Sequence, residues 1–407
     1  MKRWPLWAAL ATLLFAIYTA ASYFAVPLQA ALMASFQLGL IVLIATGSGR
    51  VVLRVLGLSD ISESQKTLIG CTLGLGVISL GMLFLAGLQI LYGWAVFFML
   101  ALLWLIGFTE MRAVVLSLMV NRNLLGERPL AAALVLALLG LAYWMSWIPP
   151  HQYDSLVYHL ALPQAYVNRH GLGLVEHLFY SYFPQNGEML FTLALIMKYD
   201  ILGQMLMWLA TALSVWWLFE IGKREAPLSA VLLSCLILCT HTSVMLLAST
   251  VYVEPLVMLW VSAAALSYFR WRQLSAANPR QRSWLVLSAL FTGLALGTKY
   301  YAGIAAAVIG TFLVFRVISG WRQARRDRML DLCFYTGIVS LLFSPWMIKN
   351  ALTVGNPFFP FFYRWFPMTT QPRYSSRRRE AYRDGHPIPA SRCADLRSSL
   401  NAALPIR

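Results

Sequence analysis

The sequence predicts an all-α, polytopic membrane protein with about eleven membrane-crossing helices. The chain has 407 residues, of which 59% are hydrophobic and only 12% are charged, whereas soluble globular domains carry about 25% charged residues. The apolar residues also fall into blocks of about 17–25 residues, the length that a helix needs to cross a bilayer core roughly 30 Å thick. Composition and block length therefore point to the same fold class.

Short polar connections separate the predicted crossings, except for one long connection from residue 148 to residue 200. The first crossing follows Lys2 and Arg3, but its apolar run is long and has no clear cleavage site, so we interpret it as an uncleaved helix and not as a signal peptide. The crossings are expected at Trp4–Val26, Leu28–Thr46, Thr67–Leu91, Gly93–Phe108, Pro129–Trp147, Ile201–Glu220, Leu228–Leu247, Val251–Tyr268, Trp284–Thr298, Tyr301–Ile318 and Leu330–Ile348.

The basic residues predict the orientation of the chain. Alternate short loops hold nearly all the Lys and Arg of the crossing region, for example Arg50, Lys223 and Arg270. The positive-inside rule assigns these loops and the N-terminus to the cytoplasm. The net charge of +16 is thus explained by membrane topology, and no nucleic-acid partner is predicted. We expect a protein of the bacterial inner (plasma) membrane whose long connection is external.

Three regions are predicted along the chain: a four-helix membrane region at 1–128, a membrane core at 129–367 with an external loop at 148–200, and a basic tail at 368–407. Within the loop, Asp154–Asn168 and Gly187–Lys198 are expected to form interfacial helices, because neither is long enough to span a bilayer. The tail is rich in Arg and Ser and has no periodicity, so we expect it to be disordered.

Carboxylates are scarce, and most lie in or beside the basic loops, where they are expected to balance charge. Five acids remain on the external face, namely Asp154, Glu176, Glu188, Asp200 and Glu254. Asp154 follows a crossing, where it is either a helix N-cap or a functional carboxylate. The functional reading is a general base, or a ligand for a divalent cation such as Mg²⁺ or Mn²⁺. Glu254 begins a crossing, as either a first-turn acid or a site residue.

Other polar residues on this face each have more than one interpretation. Lys299 either neutralises a phosphate, pairs with Glu254 or extends to the interface. Tyr153 and Tyr158 belong to an aromatic belt or stack on a sugar ring. Four histidines lie in the long connection, but their spacings match no compact zinc motif, and the cysteines form no metal-type cluster. These histidines are His151, His159, His170 and His177.

Four segments together resemble the GT-C superfamily of polytopic glycosyltransferases, in particular the family 39 and protein-mannosyltransferase-like branch. They are Pro149–Pro163 with Asp154, Thr250–Glu254, Gly293–Tyr300, and Ser344–Trp346 followed by Gly355–Phe361. The resemblance implies that Asp154 is the catalytic carboxylate of the acidic loop and Glu254 a second acidic site residue. It also implies that Lys299 faces the donor phosphate, with His159 in the same motif as Asp154.

The resemblance implies transfer of a sugar from a polyprenyl-phosphate donor to a lipid, glycan or protein acceptor on the external side. The absence of a Walker motif and the short cytoplasmic loops agree with a lipid-linked donor. Family members continue with more helices, so the chain is expected to be C-terminally truncated. The rival predictions are a membrane transporter or lipid flippase, and an inactive truncated transferase.

Overall fold

The computed structural model describes residues 28–120, 129–175, 178–275, 278–319, 325–362 and 364–366. The described residues form helices and short turns without any strand, which confirms the all-α fold class. The predicted first crossing, Trp4–Val26, and the predicted disordered tail at 368–407 lie outside the described residues. The division into regions at residue 128 stays a prediction.

Thirteen α-helices are present in the described ranges. They are α1 (Leu28–Val55), α2 (Glu63–Gly87), α3 (Gly93–Val120), α4 (Pro129–Met145), α5 (Ala161–Arg169), α6 (Asn186–Ile196), α7 (Ile201–Glu225), α8 (Leu228–Thr240), α9 (Thr242–Ala248), α10 (Glu254–Gln273), α11 (Gln281–Leu296), α12 (Gly303–Ile318) and α13 (Arg325–Val354). A π-helical turn, Ser155–His159, precedes α5, and 3₁₀ turns occupy Phe179–Tyr182 and Tyr300–Ala302.

Six helical segments of the described chain are long and apolar enough to cross a membrane. They are Leu28–Val55, Glu63–Gly87, Gly93–Val114, Ile201–Glu225, Tyr300–Ile318 and Arg325–Val354. A seventh crossing results if α8 and α9, which are bent by 70° relative to each other, count as one span. The helices α4 and α11 have 17 and 16 residues, which is short for a bilayer core of roughly 30 Å. The number eleven therefore stays a prediction.

The chain divides into two compact units, residues 1–173 with 183–346 and residues 174–182 with 347–407. In the second unit, the Lys349 ammonium donates to the backbone carbonyl of Ser181 at 2.6 Å, and the Asn350 amide donates to that of Tyr182 at 2.8 Å. The ring of Phe359 packs on Tyr182 with 4.8 Å between centroids. These contacts join the end of α13 to the Phe179–Tyr182 turn.

In the first unit, α1 and α2 approach each other so closely that only glycine fits at their contact. A Cβ added to Gly74 would lie 1.8 Å from the carbonyl oxygen of Ala45, and one added to Gly49 would lie 1.9 Å from that of Gly70. Small residues four apart allow this kind of backbone contact between membrane helices. The apolar runs predicted the two helices, and the glycines determine how they pack.

We expect Gly74→Ile to separate α1 from α2 and to lower the free energy of unfolding by about 2–3 kcal/mol or more. The matched control is Gly39→Ile on α1, because nothing lies within 4 Å of a Cβ at Gly39. Thermal unfolding of the detergent-solubilised chain measures the difference. Equal unfolding temperatures for the two variants contradict the close contact.

The prediction that Gly187–Lys198 forms an interfacial helix is wrong. The part of this segment from Gly187 to Ala194 is buried without interruption in α6. The backbone N–H of Asn186 donates to the carbonyl of Gly297 at 2.9 Å, and Ser79 Oγ donates to the carbonyl of Asn186 at 2.6 Å. Because protein encloses α6 as far as Ala194, the apolar residues of this stretch stabilise the fold and do not lie in a lipid interface.

Candidate active site

Asp154 lies at the start of the π-helical turn, and its side chain makes no capping hydrogen bond. Asp154 therefore occupies the N-cap position of the turn without capping it through its side chain. The hydroxyl of Ser155 donates to the carbonyl of Val251 at 3.2 Å, which fixes the turn on the segment before α10. The Tyr158 hydroxyl lies 3.5 Å from Asp154 Oδ2. A half-buried carboxylate that does not cap a helix is available for chemistry.

Tyr252 brings the two predicted acidic residues into one site. The ring of Tyr252 packs on His159, in the turn that carries Asp154, with 5.4 Å between centroids. Partial burial raises the pKa of Tyr252 above its usual value, and the negative charges of Asp154 and Glu254 raise it further. Each carboxylate thus lies close enough to the same hydroxyl to act on it through its charge.

Lys299 forms an ion pair with Glu254, one of the readings that the sequence left open. The two side chains are 20% and 30% exposed, respectively, so solvent reaches both. The second carboxylate oxygen of Glu254, Oε2, has no hydrogen-bond partner among the described residues. A Lys ammonium carries three N–H donors. Among the described residues, one donor of Lys299 is bonded to a side chain, the carboxylate of Glu254.

A buried pair, His159 and Glu188, supports the turn that carries Asp154. Nδ1 of His159 lies 2.9 Å from Oε1 of Glu188, and their side chains are 0% and 4% exposed. The ring of His159 also packs on Tyr158, with 4.0 Å between centroids, and on Tyr252, with 5.4 Å. The pair therefore joins α6 to two of the aromatic residues around Asp154.

The sequence analysis assigned no function to Glu188, although its position in the sequence indicates one. It is an acid in an otherwise apolar helix just after the Pro184–Gly187 turn, and such an acid in a membrane protein is functional by default. Of the predicted substrate-binding residues, Tyr153 is 76% exposed, Tyr158 is 6% exposed and His159 is fully buried. Only Tyr153 presents its ring to solvent.

The described histidines of the long connection have separate partners. No group of three or more His, Cys, Asp or Glu among the described residues is placed to hold a metal ion. His170 stacks on Tyr92 with 3.9 Å between centroids, and Nδ1 of His151 lies 3.2 Å from the carbonyl of Pro149. Glu176 and His177 lie outside the described residues.

An apolar groove of about 480 Å³ begins at Glu254 and runs between α10 and α12. Its lining on α10 extends from Glu254 to Ala265, a distance of about 16 Å along the helix axis. On α12 and the preceding turn, Tyr301, Ala302, Ile304, Ala305, Val308 and Ile309 line the other wall. The charged Glu254–Lys299 pair therefore lies at one end of an apolar groove that follows about three turns of α10.

Residues 166–354 match the sequence model of the dolichyl-phosphate-mannose-protein mannosyltransferase family. The match confirms the resemblance to the GT-C glycosyltransferases. It indicates a membrane glycosyltransferase. Comparisons with curated proteins and with solved structures gave no match.

The mannosyltransferase-like segment contains Glu188, Glu254, Lys299 and the whole apolar groove, but it begins twelve residues after Asp154. The structure connects the turn of Asp154 to this segment through the packing of His159 on Tyr252 and through the hydrogen bond of Ser155 to Val251. Helices α1 to α4 precede the matched residues. Asp154 and Ser155 thus lie outside the matched residues, but their turn contacts the mannosyltransferase-like segment.

Proposed function

We propose that the chain transfers a sugar from a polyprenyl-phosphate carrier to a hydroxyl of a lipid, glycan or protein acceptor on the external face of the bacterial inner membrane. The observation that carries the proposal is the position of Glu254 and Lys299. Both lie in the segment that matches the mannosyltransferase family, and Glu254 lines the mouth of an apolar groove. A donor with a charged head and an isoprenoid tail needs this combination of charge and apolar surface.

In the proposed reaction, Asp154 accepts the proton of the acceptor hydroxyl as the oxygen attacks the anomeric carbon. The bond between that carbon and the phosphate oxygen breaks, so that the configuration inverts and polyprenyl phosphate leaves. Lys299 neutralises the leaving phosphate, and Glu254 holds the ammonium in place. The proposed steps use side chains alone, and a divalent cation bound by Asp154 stays a prediction. Tyr153 is the proposed contact for the sugar ring.

The proposed site for the tail is the groove between α10 and α12. Isoprenoid units are apolar, and burying them releases about 25 cal/mol per Å² of surface. Small residues, Ala265, Ala302 and Ala305, widen the groove along its length. A tail bound there places its phosphate beside Lys299, because the groove begins at the partner of that lysine.

We expect Ala305→Trp to raise the KM for a long-chain donor by about tenfold or more, because an indole ring fills the groove. A donor with a single short prenyl unit loses less, since it extends less far along the groove. The control is Val314→Trp, on an exposed part of α12 that does not line the groove. Sugar transfer in membrane vesicles measures both. An equal loss for the short and long donors contradicts a tail site in this groove.

The rival function of transporter or flippase has one structural feature in its favour. The span formed by α8 and α9 is broken by 70° next to His241, and broken helices line the substrate sites of many transporters. The acids of the candidate site, however, lie at helix ends and in a turn. The two functions differ in whether the bond between the sugar and the phosphate is cleaved, and this difference decides between them.

A further inference from the structure

The first three residues of α6, Asn186, Gly187 and Glu188, each contact a different segment of the candidate active site. All three are buried. Glu188 pairs with His159 in the turn of Asp154, with 2.9 Å between its Oε1 and Nδ1 of the imidazole. The two residues before Glu188 contact the segments that carry the Glu–Lys ion pair of the site. The start of α6 therefore touches every segment that holds a predicted catalytic or phosphate-binding group.

Asn186 fixes the end of α11, which leads directly into Lys299. Its backbone N–H donates to the carbonyl of Gly297 at 2.9 Å, and its side-chain amide donates to the carbonyl of Leu294 at 3.2 Å. The last carbonyls of a helix have no partner within the helix, and Asn186 supplies a donor to two of them. Its amide oxygen accepts from Trp346 Nε1 at 3.0 Å. The orientation of the amide is thus fixed, and Lys299 follows a helix end that α6 holds at two points.

Gly187 lies between the two residues that precede the ion pair. A Cβ added to Gly187 would lie 2.3 Å from Cγ1 and 2.9 Å from Cβ of Val253, and 3.4 Å from Cγ2 of Thr298. Val253 directly precedes Glu254, and Thr298 directly precedes Lys299. Both neighbours of the glycine are buried. Because the Cβ of a valine is attached to the backbone, a side chain at position 187 displaces the backbone that leads into Glu254.

The ion pair alone does not fix the distance between its two segments. Glu254 and Lys299 are 45 positions apart in the sequence, and both side chains are partly exposed. Ion pairs that solvent reaches contribute little to stability. The start of α6, by contrast, contacts both segments through a backbone N–H, a fully oriented amide and a glycine Cα. These groups have almost no conformational freedom, so they set the spacing.

We propose that Asn186, Gly187 and Glu188 are positioning residues that hold the three segments of the site at fixed distances from one another. They act only through the residues that they hold. A displacement of about 1 Å in a catalytic group lowers a rate by up to about a hundredfold, so the spacing governs the rate of transfer. The inference rests on the proposed function for the roles of Asp154 and Lys299.

The first test measures the geometry of the ion pair without any substrate. The full chain in detergent is treated with sulfo-N-hydroxysuccinimide acetate, and peptide mass spectrometry quantifies the acylation of Lys299. Amines react in their neutral form, and a neighbouring carboxylate favours the charged form. Gly187→Ala moves Val253 and with it the carboxylate of Glu254. We therefore expect Gly187→Ala to raise the acylation rate of Lys299 by about threefold or more.

Gly310→Ala is the matched control, because nothing lies within 4 Å of a Cβ at Gly310. Lys223, which has an ion pair of its own, is the internal reference for general loosening of the chain. Val253→Ala added to Gly187→Ala removes the nearest overlapping atom and should return the rate toward that of the intact chain. Val253→Ala alone loosens the same contact without an overlap and should raise the rate even if Gly187→Ala does not fold. Acylation of Lys299 relative to Lys223 that is unchanged in these variants overturns the proposal.

The second test relates this geometry to sugar transfer. In the strain that lacks the gene, mass spectrometry follows the rate at which the missing sugar returns to envelope glycans after induction of each variant at matched membrane levels. We expect Gly187→Ala to lower this rate about tenfold in the intact chain but less than about twofold in a Lys299→Gln background, where the positioned group is already lost. Equal losses in both backgrounds show a merely structural effect and overturn the positioning role.

The outcomes separate this inference from the proposed function. If Lys299→Gln lowers transfer and Gly187→Ala does not, the positioning role alone is contradicted. If Lys299→Gln and Asp154→Asn both transfer sugar at the full rate, the proposed function is contradicted. The acylation of Lys299 then still decides whether Gly187 sets the geometry of the ion pair.

Discussion

Asp154→Asn is expected to lower the kcat of sugar transfer by about 10²–10⁴-fold, with little change in the KM for the donor. The amide keeps the size of the side chain but accepts no proton from the acceptor hydroxyl. The structure leaves Asp154 without a capping hydrogen bond, so its loss should not unfold the turn. Transfer rates in membrane vesicles, at matched protein levels, measure the effect.

Asp200→Asn is the matched control for this prediction. Asp200 is also an aspartate of the predicted external face, but its carboxylate accepts a hydrogen bond from the backbone N–H of Ile201 at the start of α7. The control should keep its transfer rate and lose at most about 1 kcal/mol of stability. If Asp154→Asn retains the rate of the intact chain, Asp154 is not the base.

Glu188→Leu is expected to lower the free energy of unfolding by about 3–5 kcal/mol, because it leaves His159 buried without its partner. The double variant His159→Phe/Glu188→Leu replaces the pair by apolar groups and should recover most of that loss. Thermal unfolding of the purified chain measures both. The control, Asp60→Asn, breaks an exposed ion pair with Arg280 and should cost at most about 1 kcal/mol.

The double variant also separates a positioning role from a purely structural one. If the pair fixes the turn that carries Asp154, the double variant is stable but still transfers sugar slowly. A conservative Glu188→Gln variant keeps the hydrogen bond to His159 and should transfer faster than the double variant. Full transfer activity in the double variant contradicts the positioning role of His159 and Glu188.

The positions of most helices could be predicted from the sequence, because apolar blocks and the polar, Gly or Pro residues between them are local signals. The turn Pro184–Gly187 predicted the start of α6 within about one residue, and α6 begins at Asn186. Its burial was missed, because an apolar run of eleven residues is equally suited to an interface and to a protein interior. The break between α8 and α9 at His241 was also missed, since hydropathy averages over a single polar residue.

The candidate site was predictable in its residues but not in its pairings. Asp154, Glu254 and Lys299 are ionisable groups next to apolar blocks, which singles them out. The pairing of Lys299 with Glu254 was one of three readings, and packing decides it. His159 and Glu188 are separated by 29 positions, and no periodicity relates a turn residue to one on a buried helix. Long-range packing alone brings them together.

The mass profile of envelope glycans tests the central claim most directly. It should be compared between a strain that lacks the gene and the same strain re-expressing the intact chain, its Asp154→Asn variant or its Asp200→Asn variant at matched membrane levels. We expect the loss of the gene to remove the mass of one sugar from an envelope component. The intact chain and Asp200→Asn should restore this mass, and Asp154→Asn should not. An unchanged profile without the gene, or restoration by Asp154→Asn, contradicts a glycosyltransferase that uses Asp154.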